Sequence, residues 1–304
     1  MNKLLDNVLE NCREYIQTGA AASYIPELAK ADVNEFGICV MDGEGSISFA
    51  GDYDAAFTMQ SISKPVILLL AMMDAGVDRV RELVGVEATG KPFDAFNYSD
   101  RALHREHINP MINAGAIALC TLIKGKDFSE KFSRLLDLAR EMTGNGELDI
   151  DENVYLSEKV TGNKNRALVY MLKAYGMIDA DGEDVLDCYF RACSIKVTAK
   201  DLANMAYVLA NKGRTNSGKQ LFDAEYARDV NAVLTTCGMY DGSGEFALNV
   251  GVPAKSGVGG GIMAVVPGRM GIGIYSPALD KKGNSVAGIK ALEKLSKELD
   301  LSIF

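Results

Sequence analysis

Ser61 and Lys64 stand three residues apart in Phe57-Thr58-Met59-Gln60-Ser61-Ile62-Ser63-Lys64-Pro65, directly ahead of an apolar run from Val66 to Met73. Proline is accommodated in the first turn of a helix, where its missing N–H has no partner to lose, so Pro65 sets a helix start just before it. Ser61 is then expected at the helix N-terminus, with Lys64 one turn further along the same face. A hydroxyl beside an amine at the positive end of a helix suits nucleophilic acyl transfer, with the lysine as base. For that role the Lys64 pKa has to fall from about 10.4 to about 7–8. Burial and a second cation are the available causes, and Lys255 is the candidate for that cation. Ser63 is expected to be no more than a polar helix-start residue.

Ser-x-x-Lys alone is usually a capping coincidence. It gains meaning from a second motif, Lys255-Ser256-Gly257-Val258, on an expected late strand and followed by Gly259-Gly260-Gly261. An early Ser-x-x-Lys paired with a late Lys-Ser/Thr-Gly strand resembles the signature of serine β-lactamases and penicillin-binding proteins. Backbone N–H groups of Ser61 and Val258 could then form the oxyanion hole, each donor contributing about 3–4 kcal/mol. The glycine run lacks the order of glycines followed by Lys-Ser/Thr that a phosphate-binding loop needs. The two histidines, His104 and His107, have a spacing that could seat a metal, but no cysteine or carboxylate cluster supports one. No metal and no cofactor are expected, and the base is not expected to be histidine.

The elements that must position these residues follow from hydrophobic periodicity. Glu35–Met41 and Ser46–Ala50 form an expected hairpin around Asp42-Gly43-Glu44-Gly45. Late strands are expected at Glu245–Val250, Pro253–Val258, Ile262–Val266 and Met270–Tyr275. An amphipathic helix opens the chain and another, from about Ser285 to Leu299, closes it. Thr198 with Asp201 predicts a capping box for a helix running to Gly213. The expected fold is α+β, with an antiparallel sheet built from both ends of the chain and flanked by helices. An all-helical lobe is inserted into it. The 304 residues are read as one domain, with a sheet lobe of about 1–60 plus 236–304 and a helical lobe of about 61–235; the site is expected in the cleft between them.

Composition narrows the function classes. Net charge is −9 with no basic stripe, so neither nucleic acid nor an anionic membrane is an expected partner. The N-terminus lacks a signal-peptide pattern, and the longest apolar run is too short to span a bilayer, so a cytoplasmic location is expected. Six scattered cysteines without a Cys-x-x-Cys pair are expected to be buried free thiols.

Several blocks together resemble a narrower family. Tyr24-Ile25-Pro26-Glu27-Leu28-Ala29, Gln60 to Pro65, Asn109-Pro110-Met111-Ile112-Asn113-Ala114-Gly115-Ala116 and Asp187-Cys188-Tyr189-Phe190 are similar to the glutaminases of the bacterial and kidney type. So are Cys193-Ser194-Ile195, Cys237-Gly238-Met239-Tyr240-Asp241 and Pro253 to Val258. The resemblance runs in family order over nearly the whole chain. It implies a serine β-lactamase-like fold and hydrolysis of L-glutamine to L-glutamate and ammonia. It further implies Ser61 as nucleophile, Lys64 as base, and Tyr189 and Tyr240 as phenols that bind substrate and relay protons. Tyr24, Asn113, Glu158 and Asn165 are implied to hold the substrate's polar groups, Val258 to supply an oxyanion N–H, and Lys255 to support the site. Glu158 suits an α-ammonium; Asn165 and tyrosine hydroxyls suit an α-carboxylate. Thr161-Gly162-Asn163 is expected to break the chain between Glu158 and Asn165, with a loop entering a helix at Lys164. A homodimer or homotetramer is implied. The competing readings are a β-lactamase or D-Ala-D-Ala peptidase, and a catalytically dead ligand sensor on the same fold.

Overall fold

A computed structural model describes residues 1–88 and 108–304; His104 and His107 lie outside the described residues. In chain order the elements are α1 (Asn2–Cys12), β1 (Gly37–Asp42), β2 (Ile47–Gly51), β3 (Phe57–Thr58), α2 (Ser63–Ala75), α3 (Val77–Leu83), α4 (Asn113–Cys120) and α5 (Phe128–Thr143). There follow α6 (Glu152–Thr161), α7 (Asn163–Ala174), α8 (Gly182–Cys193), β4 (Lys196–Val197), α9 (Ala199–Ala210) and α10 (Ala224–Cys237). The chain closes with α11 (Ser243–Asn249), β5 (Ala254–Ser256), β6 (Gly261–Val266), β7 (Met270–Tyr275) and α12 (Val286–Leu299).

The main sheet has the order β2-β1-β7-β6-β5, with every neighbouring pair antiparallel. Register pairs Val40 with Ile272 and Ile272 with Ala264, so early and late strands share one sheet. Strand β7 shows why its two faces differ. In Met-Gly-Ile-Gly-Ile-Tyr, alternate residues point to opposite faces. Ile272 and Ile274 pack with Leu5, Leu9, Leu292 and Leu295 of α1 and α12. A Cβ on Gly271 or Gly273 would stand 2.2 or 1.9 Å from a backbone oxygen of α9, so the two glycines let that helix lie directly on the sheet. Helix α9 starts with the expected capping box between Thr198 and Asp201. It covers the sheet although its place in the chain falls inside the segment expected to form the helical lobe.

Helices α3, α4, α5 and α10 pack around α2, whose residues Ser63 to Met72 are all buried. An apolar helix without a polar face needs this enclosure. Among the described residues no single helix is long and apolar enough to cross a membrane. The cysteines are free and buried, as expected.

One expected strand is absent. Glu245–Val250 lies within and just past helix α11, leaving Phe246 buried and Leu248 86% exposed. The run is six residues long, too short for its pattern to separate a two-residue from a 3.6-residue period. The other correction is smaller. Strand β5 ends at Ser256, so Val258 sits in the turn beyond it, not on the strand.

Candidate active site

Ser61 occupies a single 3₁₀ turn, Gln60–Ile62, wedged between β3 and the start of α2. The turn is held from several sides. Gln60 has φ of 49°, a left-handed conformation that costs about 1 kcal/mol or more in a non-glycine residue and clusters at functional sites. The Gln60 amide donates to Thr58 Oγ1 at 3.3 Å and to the Cys193 carbonyl at 3.4 Å. Ser63 Oγ donates to the Gln60 carbonyl at 2.8 Å, the modest helix-start role expected of it. Met59 N–H donates to the Ile195 carbonyl at 2.8 Å, and β3 pairs with β4, which ties the turn to the end of α8.

Lys64 is fully buried, and its Nζ lies 2.6 Å from Ser61 Oγ. Burial lowers its pKa to about 8, against the opposing influence of Cys193 and Glu158. The first expected cause therefore operates. The second falls elsewhere: Lys255 is itself buried and held well below its usual value, by burial first and by the Lys64 charge second. Lys255 Nζ donates to the carbonyls of Gly238 and Ser256 at 2.9 and 2.6 Å and lies 4.2 Å over the Tyr240 ring. It joins the end of α10 to β5 and sits beneath one of the two expected phenols.

Tyr240 also has a left-handed backbone, with φ of 54°. Its hydroxyl donates to the Ser256 carbonyl at 3.1 Å and stands beside the Ser61 side chain. Burial raises its pKa, so it remains a phenol. Tyr189 comes from α8 and Asn113 from the start of α4. Tyr189 Oη donates to Asn113 Oδ1 at 3.1 Å, and Asn113 Nδ2 donates to Asn165 Oδ1 at 2.9 Å. Among the described residues this relay leaves the Asn165 amide N–H groups as donor capacity. Lys64 Nζ stands 5.8 Å from the Tyr189 ring centre.

Glu158 lies on α6 and Asn165 on α7, and the break between them is confined to Gly162. Glu158 is thus helical, and α7 begins at Asn163, where a loop entering at Lys164 was expected. The Glu158 side chain is buried, and among the described residues its Oε2 has no hydrogen-bond partner. Burial raises its pKa to about 8 despite the opposing Lys64 charge. Tyr24 is 55% exposed and electrostatically close to Tyr189, which places it at the rim.

Two glycines set the turn that carries Val258 against the Ser61 turn. A Cβ on Gly257 would stand 2.6 Å from the Met59 carbonyl oxygen, and one on Gly259 would stand 2.3 Å from that of Thr58. Only glycine permits the turn carrying Val258 to press against the Ser61 turn in this way. Among the described residues, neither the Ser61 nor the Val258 N–H has a protein acceptor. A developing oxyanion requires uncommitted backbone donors of this kind.

Ser61, Lys64, Tyr189, Asn113, Asn165, Glu158, Tyr240 and Lys255 are joined by close contacts or near charges, Tyr24 stands at the rim, and Val258 lies in the turn packed against the Ser61 turn. Two others join them that sequence reasoning did not single out. Cys193 Sγ stands 3.8 Å from Ser63 Oγ and lies beside Tyr189; Gln60 shapes the nucleophile turn. The Cys193 position was readable in principle, four residues after Tyr189 on the same helical face. Among the described residues no group of three or more histidine, cysteine or carboxylate side chains could hold a metal ion.

The sequence model of the family described as Glutaminase matches residues 19–304. Over its whole length the chain is 51% identical to a glutaminase of Clostridium tetani and 50% identical to glutaminase 2 of Clostridium perfringens, covering 100% of each. It is also similar to a solved structure of a probable glutaminase from Bacillus subtilis complexed with 6-diazo-5-oxo-L-norleucine. That match has 38% identity and a TM-score of 0.91, covering 100% of this chain and 96% of the other. A second structure is a covalent complex between Bacillus subtilis glutaminase and 5-oxo-L-norleucine, formed by reaction with 6-diazo-5-oxo-L-norleucine. There the identity is 37% and the TM-score 0.91, covering 100% and 99%.

Proposed function

The chain belongs to the glutaminase family, and we propose that it hydrolyses L-glutamine to L-glutamate and ammonia through an acyl-enzyme on Ser61. The observation that carries this reading is the 2.6 Å contact between Ser61 Oγ and a fully buried Lys64 whose pKa is lowered to about 8. When neutral, the lysine accepts the hydroxyl proton as Oγ attacks the side-chain amide carbon. The new oxyanion is met by the N–H groups of Ser61 and Val258. Collapse breaks the C–N bond, and the departing nitrogen takes a proton and leaves as ammonia. Tyr240, a phenol beside Ser61, is the donor best positioned for that transfer. Water then attacks the ester, gives a proton back through the same groups and releases glutamate with Ser61 restored.

The rest of the site fits an amino-acid substrate. Glu158, with a buried oxygen that lacks a partner among the described residues, suits the α-ammonium. Asn165, Asn113, Tyr189 and, at the rim, Tyr24 supply donors for the α-carboxylate and amide. Lys255 holds Tyr240 and β5 in register. The same reading carries no cofactor, a homodimer or homotetramer, and a cytoplasmic location; light scattering of the purified protein tests the assembly.

Ammonia release from glutamine, measured beside cleavage of a chromogenic cephalosporin, tests the activity. Glutamine turnover that Ser61→Ala abolishes is expected. Cephalosporin cleavage without glutamine turnover would make the chain a β-lactamase-like enzyme, and binding of glutamine without turnover would make it a sensor.

A further inference from the structure

We propose that Asp187 is a positioning residue for substrate recognition, locking the helix that carries Glu158 to the helix that carries Tyr189. Asp187 Oδ1 accepts hydrogen bonds from Tyr155 Oη and, at 2.7 Å, from Lys159 Nζ. Both donors belong to α6, three residues before and one after Glu158. Lys159 Nζ also donates to Tyr155 Oη at 2.9 Å, closing a triangle. Asp187 Oδ2 accepts from Arg191 Nε at 2.8 Å, and the Arg191 guanidinium lies 4.5 Å over the Tyr155 ring. Asp187 and Arg191 belong to α8, with Tyr189 between them.

The arrangement answers a need that Glu158 creates. Glu158 Oε2 has no hydrogen-bond partner among the described residues, so the carboxylate takes its placement from its backbone. The clamp supplies it from outside the cavity, on the same turns of α6. Hydrogen bonds from Lys159, Tyr155 and Arg191 overcome burial and hold the Asp187 carboxyl at about 2, so the clamp stays charged at any pH at which the enzyme works. Asp187 touches none of the groups assigned to the reacting amide; it acts through Glu158.

The proposal rests on the reading of Glu158 as the α-ammonium site, and one set of measurements separates the two. The kcat and KM of wild type, Glu158→Gln, Asp187→Asn and Tyr155→Phe are compared on glutamine and on glutaramate, which keeps the amide and chain carboxylate but lacks the α-ammonium. Glu158→Gln is expected to lose the preference for glutamine. Asp187→Asn is expected to lower kcat/KM for glutamine about 10–100-fold, mainly through KM, because a small misplacement costs that much, while glutaramate turnover stays near wild type. Tyr155→Phe, the milder variant if Asp187→Asn folds poorly, moves the same way by less. Equal losses on both substrates in Asp187→Asn and Tyr155→Phe would assign the clamp a general packing role and overturn the proposal, as would no loss on either. A Glu158→Gln enzyme that still prefers glutamine would instead overturn the ammonium assignment beneath it.

Discussion

At the scale of single residues, two buried groups set how activity depends on pH. Lys64 and Glu158 each titrate near 8, one lowered and one raised by the same burial. The base must be neutral and the ammonium acceptor ionised, so both requirements are met as pH rises. The kcat/KM profile should therefore climb between pH 6 and 9 with apparent pKa values that belong to the pair. Glu158→Gln should simplify this limb to a single group while raising KM. A profile that is flat or falls over that range would contradict the assignment of Lys64 as base. For Tyr240, replacement by Phe is expected to lower kcat about 10²–10⁴-fold, the usual contribution of a positioned proton donor, with circular dichroism unchanged.

Among the elements, the decisive contact is between the Ser61 turn and the turn after β5. Gly259→Ala would drive a methyl into the Thr58 carbonyl, 2.3 Å away, and move the Val258 N–H off the oxyanion position. Removing one such donor costs about 10²–10³ in kcat, with KM less affected. Thr198→Ala, in contrast, removes the α9 capping box, whose hydrogen bonds involve none of the site residues. It should cost about 1 kcal/mol in denaturant unfolding and leave kcat/KM unchanged. Much of this level was legible in the sequence. The capping box, the early hairpin and the Gly-Ile alternation of β7 each carry a local signature tied to a residue type. The α11 segment was not, because Phe246 and Leu248 fit a strand pattern and only the burial of Phe246 with exposure of Leu248 distinguishes the helix. The Asp187 clamp was also hidden. It joins α6 to α8 across 28 residues of chain, and nothing in its spacing distinguishes it from a solvated surface carboxylate.

Over the whole molecule, the catalytic apparatus opposes stability. A lysine ammonium pushed from 10.5 to about 8 by burial destabilises the fold by about 3 kcal/mol at neutral pH. The sign follows from the depressed pKa. Below about 8 the native state carries the buried charge and the penalty is full; it fades as pH rises toward 10.5, where the unfolded chain also loses the proton. Lys64→Met should thus raise unfolding free energy by about 2 kcal/mol at pH 7 while abolishing turnover, with the gain shrinking above pH 8. A variant less stable than wild type at pH 7 would show that the ammonium is compensated within the fold. The convergence of both chain ends on one sheet was readable, since the strand signals lie only at the ends. The placement of α9 on that sheet was not, because its glycine seats lie some seventy residues further along the chain.

The account turns on Ser61 as nucleophile, and labelling by 6-diazo-5-oxo-L-norleucine, followed by peptide mass spectrometry and ammonia assay, tests it most directly. The predicted result is one covalent adduct on Ser61, stoichiometric with loss of activity and absent from Ser61→Ala, which releases no ammonia. An adduct on another residue that tracks inactivation, or full turnover by Ser61→Ala, would contradict it.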